Sequence, residues 1–193
     1  MGISLEKGAS LSLKKDSGDN LTKVRMGLGW DQAKRGIFGF GNKEIDLDAS
    51  VLMFDGSKRL VDTVFFNQLT SKDRSVMHGG DNLTGEGDGD DEQINVDLSA
   101  VDSNIQSLVF VITSYSGQKF DKIENVFCRV VDLSSPGQKE IVRYNLGREK
   151  GTTDAQIMAV VQRAGNGWTF KALGIPANGR VPSALVEPSR AVI

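Results

Sequence analysis

The sequence predicts a mainly β protein, an antiparallel β-sandwich, on three observations. Val24, Met26, Leu28 and Trp30 alternate along Leu21 to Trp30, the period of two that a half-buried strand imposes. Ser107 to Tyr115 is a nearly continuous apolar run rich in β-branched residues, as in a strand covered on both faces. Ten or more such short segments follow one another with turn signals at close spacing, which is the pattern of a sandwich. The length of 193 residues suits a single domain over residues 1–193.

Each element has its own signal. Ile3 to Leu5 and Leu11 to Leu13 are short apolar alternations, interrupted by Lys7-Gly8 and closed by Ser17-Gly18-Asp19-Asn20. After the Leu21 to Trp30 strand, Gly36 to Gly41 reads as a glycine loop. Asp46 to Phe54 is the next strand, and the turn Asp55-Gly56-Ser57 returns it as a hairpin through Leu60 to Phe66. Ile94, Val96 and Leu98 alternate again, and Ser99 to Asn104 has the length of one helical turn. Val126 to Leu133 and Ile141 to Leu146 flank Ser135-Pro136-Gly137. Ala155 to Ala164 is short and apolar enough for helix or strand. Gly165-Asn166-Gly167 followed by Trp168 to Leu173 favours a hairpin. Residues 176–193 are spaced by Pro and Gly and are expected to be loosely ordered.

Charge separates one stretch from the rest. Gly80 to Glu92 holds six carboxylates (Asp81, Glu86, Asp88, Asp90, Asp91, Glu92) and four glycines, with no Lys or Arg. From Ser75 to Gln118 there are eight acids and no Lys or Arg, leaving 17 acids against 23 cations elsewhere, a balance of +6. A net charge of −2 thus conceals one strongly acidic region. Nucleic acid and anionic lipid would be repelled from it, and no cluster of Lys and Arg with interleaved aromatics offers another site for them. So many like charges on a short loop are costly without a positive partner. Carboxylate, amide and main-chain oxygens are what a hard cation prefers, calcium above all. The competing reading is a solvated acidic spacer. The loop's place between apolar segments, and its alternation of charge with glycine, weigh against that.

Other chemistries are constrained by composition. Cys128 is the one cysteine and lies in an apolar run, so it reads as a small core residue. His78 is the one histidine, which makes a Ser-His-Asp triad improbable but leaves it able to give one ligand or to orient the neighbouring loop. The loop is not an EF-hand. Counted from Asp88 the sixth position is Gln93, and counted from Asp81 the third is Leu83. Nor is it a phosphate cradle, because carboxylates repel phosphate. The N-terminus lacks a signal-peptide layout, Glu6 breaks the myristoylation pattern, and no apolar run is long enough to span a membrane. The expected location is cytoplasmic, with no direct membrane insertion.

The stretch Gly80 to Glu92 resembles, almost residue for residue, the acidic signature of the TerD family of tellurium-resistance and stress proteins of bacteria. Met26-Gly-Leu-Gly-Trp-Asp31, Asp46-Leu-Asp-Ala-Ser50, Phe66-Asn-Gln-Leu69, Ser71-Lys-Asp73, Val96-Asp-Leu98, Val109-Phe-Val-Ile112, Arg129-Val-Val-Asp132 and Arg143-Tyr-Asn-Leu146 continue the resemblance over about residues 3 to 175. It implies a cytoplasmic β-sandwich with two calcium ions in acidic loops, no established catalysis, and protein partners such as other tellurium-resistance proteins. Two calcium ions need about six to eight oxygens each, more than one loop supplies. Asp88, Asp90 and Asp91 are close enough to reach one ion or bridge two, Glu92 could bind bidentately, and Asp81 and Asn82 could close the cage. Asp46, Asp48 and Asp31 are the candidates to complete the second site, Asp46 and Asp48 sharing a strand face. Their alternative is as solvent-facing polars or turn acceptors. Two other functions stand beside this one. One is a metal-dependent phosphoester hydrolase, disfavoured because no His or Lys is evidently poised beside the loop. The other is a structural module in which calcium only stabilises the fold.

Overall fold

The computed structural model describes residues 2–31, 46–80, 89–147 and 150–193, and among them the chain forms twelve strands in two six-stranded sheets. They are β1 (Ile3–Leu5), β2 (Ser10–Ser12), β3 (Lys23–Asp31), β4 (Leu47–Asp55), β5 (Leu60–Val64), β6 (Val76–His78), β7 (Glu92–Asp97), β8 (Ile105–Ser114), β9 (Glu124–Asp132), β10 (Glu140–Asn145), β11 (Ala155–Ala164) and β12 (Gly167–Ala177). The first sheet runs β1-β10-β9-β3-β7-β6 and the second β2-β12-β11-β8-β4-β5. Only the edge pair β1–β10 is parallel among these neighbours. The expected mainly β, antiparallel sandwich is what forms.

The alternating residues Val24, Met26, Leu28 and Trp30 of β3 point between the sheets, where they meet Leu47, Ala49, Val51 and Met53 of β4 and Leu108, Phe110 and Ile112 of β8. The opposite face of the second sheet is apolar too. Leu52, Phe54, Val109, Val111, Ile157 and Val160 form a second cluster there. This is why β8 and β11 show continuous apolar runs instead of alternation: each is covered on both sides. β11 pairs with β8 and β12, which settles the helix-or-strand ambiguity of Ala155 to Ala164 in favour of strand.

The cover over that second face corrects the expectation of a loose tail. Residues 182–190 coil into a 3-10 turn, Pro182–Leu185, and a short helix α1, Val186–Arg190. Leu185 is fully buried, and Val186, Val192 and Ile193 pack on the same cluster. Asp154 accepts the Gly179 N–H at 2.8 Å and Arg190 donates to the Lys58 carbonyl at 3.1 Å. Apolar burial and these bonds hold the segment down. A second correction concerns residues 99–104. Asp97 Oδ1 accepts the N–H groups of Ser99 and Ala100, which favours a side-chain-capped turn over a helical one. The expected glycine loop from Gly36 to Gly41 lies outside the described residues.

Candidate metal centre at the acidic pole

Three strand ends meet at one pole of the sandwich. β3 ends there at Asp31, β4 begins there at Leu47, and β7 begins there at Glu92. The antiparallel register Leu28↔Glu92 fixes β3 against β7. The link between sheets comes from Glu92, which is 1% exposed and accepts the Ala49 N–H of β4 through Oε2. His78 stands beside it on β6, its Nε2 3.6 Å from Glu92 Oε2 and 3.2 Å from the Ala49 carbonyl. The Gly80 N–H donates to His78 Nδ1 at 3.1 Å, which assigns the ring proton to Nε2. His78 thus stands at the entry to the loop, in the orienting position that the sequence left open to it. Its side chain is fully enclosed, so it holds Glu92 and Gly80 in place and is shielded from solvent.

Asp90, Asp91 and Glu92 diverge. Glu92 points between the sheets. Asp91 caps the end of β3, its Oδ2 accepting the Trp30 N–H at 2.7 Å while its own N–H donates to the Leu28 carbonyl at 2.8 Å. Burial pushes the Asp91 carboxyl above the usual range, and the charges of Asp31, Asp90 and Glu92 add to the rise against the pull of the Trp30 N–H. Asp90 turns to the outer face of the first sheet, where Arg129 of β9 grips it with two bonds of 2.7 and 3.1 Å. Sequence reading missed Arg129 because it lies 39 residues away and the acidic stretch contains no cation of its own. The glycine at position 27 was a signal. A Cβ there would fall 2.1 Å from the Asp90 carboxylate.

The remaining candidates are distributed around the pole. Asp31 is exposed and accepts a bond from Asn125. Asp46 precedes β4, its carbonyl taking the Tyr115 N–H at 3.2 Å. Asp48 is buried at 4%, and strand alternation sets it with Ser50 on the face of the second sheet turned away from the inter-sheet core that Ala49 joins. Asp81, Asn82 and Asp88 lie outside the described residues. Among the described residues no three His, Cys, Asp or Glu side chains converge as a metal site. What the described part supplies is a partial donor set. Glu92 Oε1 is buried without a hydrogen-bond partner among the described residues, and Asp91 is a desolvated carboxylate crowded by like charges. Both conditions are relieved by a cation, and oxygen donors of this kind suit a hard one such as calcium.

Fold and pole together define a β-sandwich protein that gathers carboxylates from several strand ends at one tip. The chain belongs to the TerD family: the TerD domain matches residues 1–186. It is 44% identical over 183 residues to the tellurium resistance protein TerZ of Serratia marcescens, covering 92% of each chain. To the stress response protein SCP2 of Bacillus subtilis it is 42% identical over 190 residues, covering 92% of this chain and 94% of that one. To the tellurium resistance protein TerD of Serratia marcescens it is 36% identical over 194 residues, covering 97% of each. A crystal structure of a TerD homologue from Streptomyces coelicolor shares the fold, with a TM-score of 0.70 at 19% identity, covering 86% of this chain and 96% of that one. The family is one of tellurium-resistance and stress-response proteins. Among the described residues no helix is long and apolar enough to cross a membrane.

Proposed function

We propose that this protein is a non-catalytic, calcium-binding member of the stress-response machinery, acting in the cytoplasm. In this reading two calcium ions bind at the acidic pole. Asp91 and Glu92 are the described ligands, joined by Asp81, Asn82 and Asp88, with Asp31, Asp46 and Asp48 as the candidates that complete the second site. Ion binding orders the acidic loop, which then presents a defined surface to protein partners such as other tellurium-resistance proteins. The observation that carries the reading is Glu92: a fully enclosed carboxylate with one oxygen bonded across to β4 and the other without a hydrogen-bond partner among the described residues. Burial of a charge is tolerated when it is paired or coordinates a metal.

Calorimetric titration of chelator-stripped protein with calcium, repeated with magnesium, tests it. Two calcium events, weak magnesium binding and loss of one event in Glu92→Gln are expected. The melting temperature should climb with free calcium, since a ligand at about a hundredfold excess over its Kd adds about 2.7 kcal/mol. Absence of both heat and stabilisation would reduce the loop to a solvated spacer. The bond from the Ala49 N–H to Glu92 also favours a second reading, in which the ion only staples the two sheets together. Saturation far below micromolar calcium supports the staple, and titration near micromolar supports a sensor.

A further inference from the structure

We propose that Arg129 is a positioning residue for the acidic pole: it holds Asp90 as a fixed internal counter-ion, so that Asp90 tethers the loop to the sheet and does not ligate the metal. The proposal deepens the calcium reading and depends on it only for its metal readouts.

In sequence Asp90 is indistinguishable from Asp88 and Asp91. Geometry separates it. The Arg129 Nε and Nη2 groups donate to the two oxygens of Asp90 at 2.7 and 3.1 Å, a forked pair that engages both carboxylate oxygens. The Asp90 side chain is 1% exposed, so the pair works at low local dielectric. Arg129 is itself braced. Its Nη1 donates to Glu140 at 3.1 Å, and Glu140 also accepts from Arg143, whose guanidinium stacks on Phe127 at 4.1 Å. Withdrawing Asp90 toward an ion would break two charge-assisted bonds and strand a braced cation.

The strand beneath is shaped for this contact. Gly27 lies directly across from Arg129 in the β3–β9 register, and the Asp90 carboxylate occupies the volume any side chain at position 27 would need. At Gly29 a Cβ would meet the Phe127 ring at 2.4 Å and the Gly89 carbonyl at 3.0 Å. Two glycines therefore let residues 89 and 90 lie flat on β3. Once Asp90 is fixed there, Asp91 can cap Trp30 and Glu92 can enter between the sheets. The tether sets where the two ligand carboxylates start.

The test compares Asp90→Asn, Arg129→Gln, their double variant and Arg129→Lys, each chelator-stripped, by thermal melting and calcium calorimetry. Asp90→Asn and Arg129→Gln should keep the wild-type number of calcium events and weaken them by a common factor of about 10 to 100, as expected when groups orienting ligands are lost. The double variant should be no weaker than either single change. Arg129→Lys should fail to restore affinity, because an ammonium cannot make the forked contact. It carries the comparison if Arg129→Gln does not fold. Loss of a whole calcium event in Asp90→Asn, with tighter binding in Arg129→Gln, would make Asp90 a ligand and overturn the proposal. If even the wild type binds no calcium, the metal reading falls, while the tether is judged on melting alone. Equal, non-additive losses of stability uphold it and additive losses refute it.

Discussion

Three consecutive acids, Asp90, Asp91 and Glu92, go to a sheet surface, a strand end and the space between sheets. Alternation along a strand accounts for adjacent residues facing opposite ways. It does not say which partners await them, and these sit on strands far apart in sequence. That is why the acidic pole was legible as a concentration of oxygen donors, while the roles within it were not. Gly27 and Gly29 read in sequence only as glycines in a strand, although each marks a place where another group lies against the backbone. Cys128 illustrates the opposite case. An apolar run identified it as core, and burial pushes its thiol up to about 12, with Arg143 opposing weakly. Its thiolate is accordingly scarce at neutral pH. A thiol reagent at pH 8 should modify Cys128 only on the timescale of global unfolding. Labelling within seconds in native buffer would contradict the enclosed environment.

Among the elements, those with alternation or hairpin turns were readable, and those stabilised by tertiary contact were not. β6 has three residues, too few for a period, and exists because β7 pairs with it in register Val76↔Val96. The tail was misread for a related reason. Leu185, Val186, Val192 and Ile193 have no strand or helix period, yet they share one target, the apolar outer face of β4, β8 and β11. Removing Leu185 should therefore be costly. Leu185→Ala, at a fully buried position, is expected to lose about 2–5 kcal/mol in denaturant unfolding. A loss under about 0.5 kcal/mol, the level of ordinary surface substitutions, would mean that the tail adds nothing to the core.

The whole molecule is an acidic tip on a body whose aspartates are held by hydrogen-bond donors. At Asp73, Asp97, Asp132 and Asp154 burial alone would raise the carboxyl, but surrounding donors outweigh it and hold each below its usual range. Asp73, for example, gathers Ser71, Ser75 and the Asp102 N–H. The unfolded chain takes up these protons at about pH 3.9, before the folded one does. Their contribution is complete above that pH and is lost as the pH falls through the depressed values. Stability measured by denaturant in chelator should drop as the pH falls below about 4, after the smaller opposite contribution of Asp91, whose raised carboxyl is protonated first in the folded state. Asp73→Asn should be less stable at pH 7 and lose less on acidification. A wild type that gains stability as the pH falls below about 4 would contradict this. The two sheets also share an origin at the start of the chain. β1 forms an edge of the first by pairing with residues 142–144, and β2 forms an edge of the second by pairing with residues 169–171. β1 and β2 thus have no partners until about 140 to 160 further residues have been made. At ~5–20 residues per second that wait is roughly seven to thirty seconds. A nascent chain stalled before β10 would display β1 and β2 unpaired, open to chaperones and proteases, and the synthesis of β10 and then β12 is the event that withdraws them.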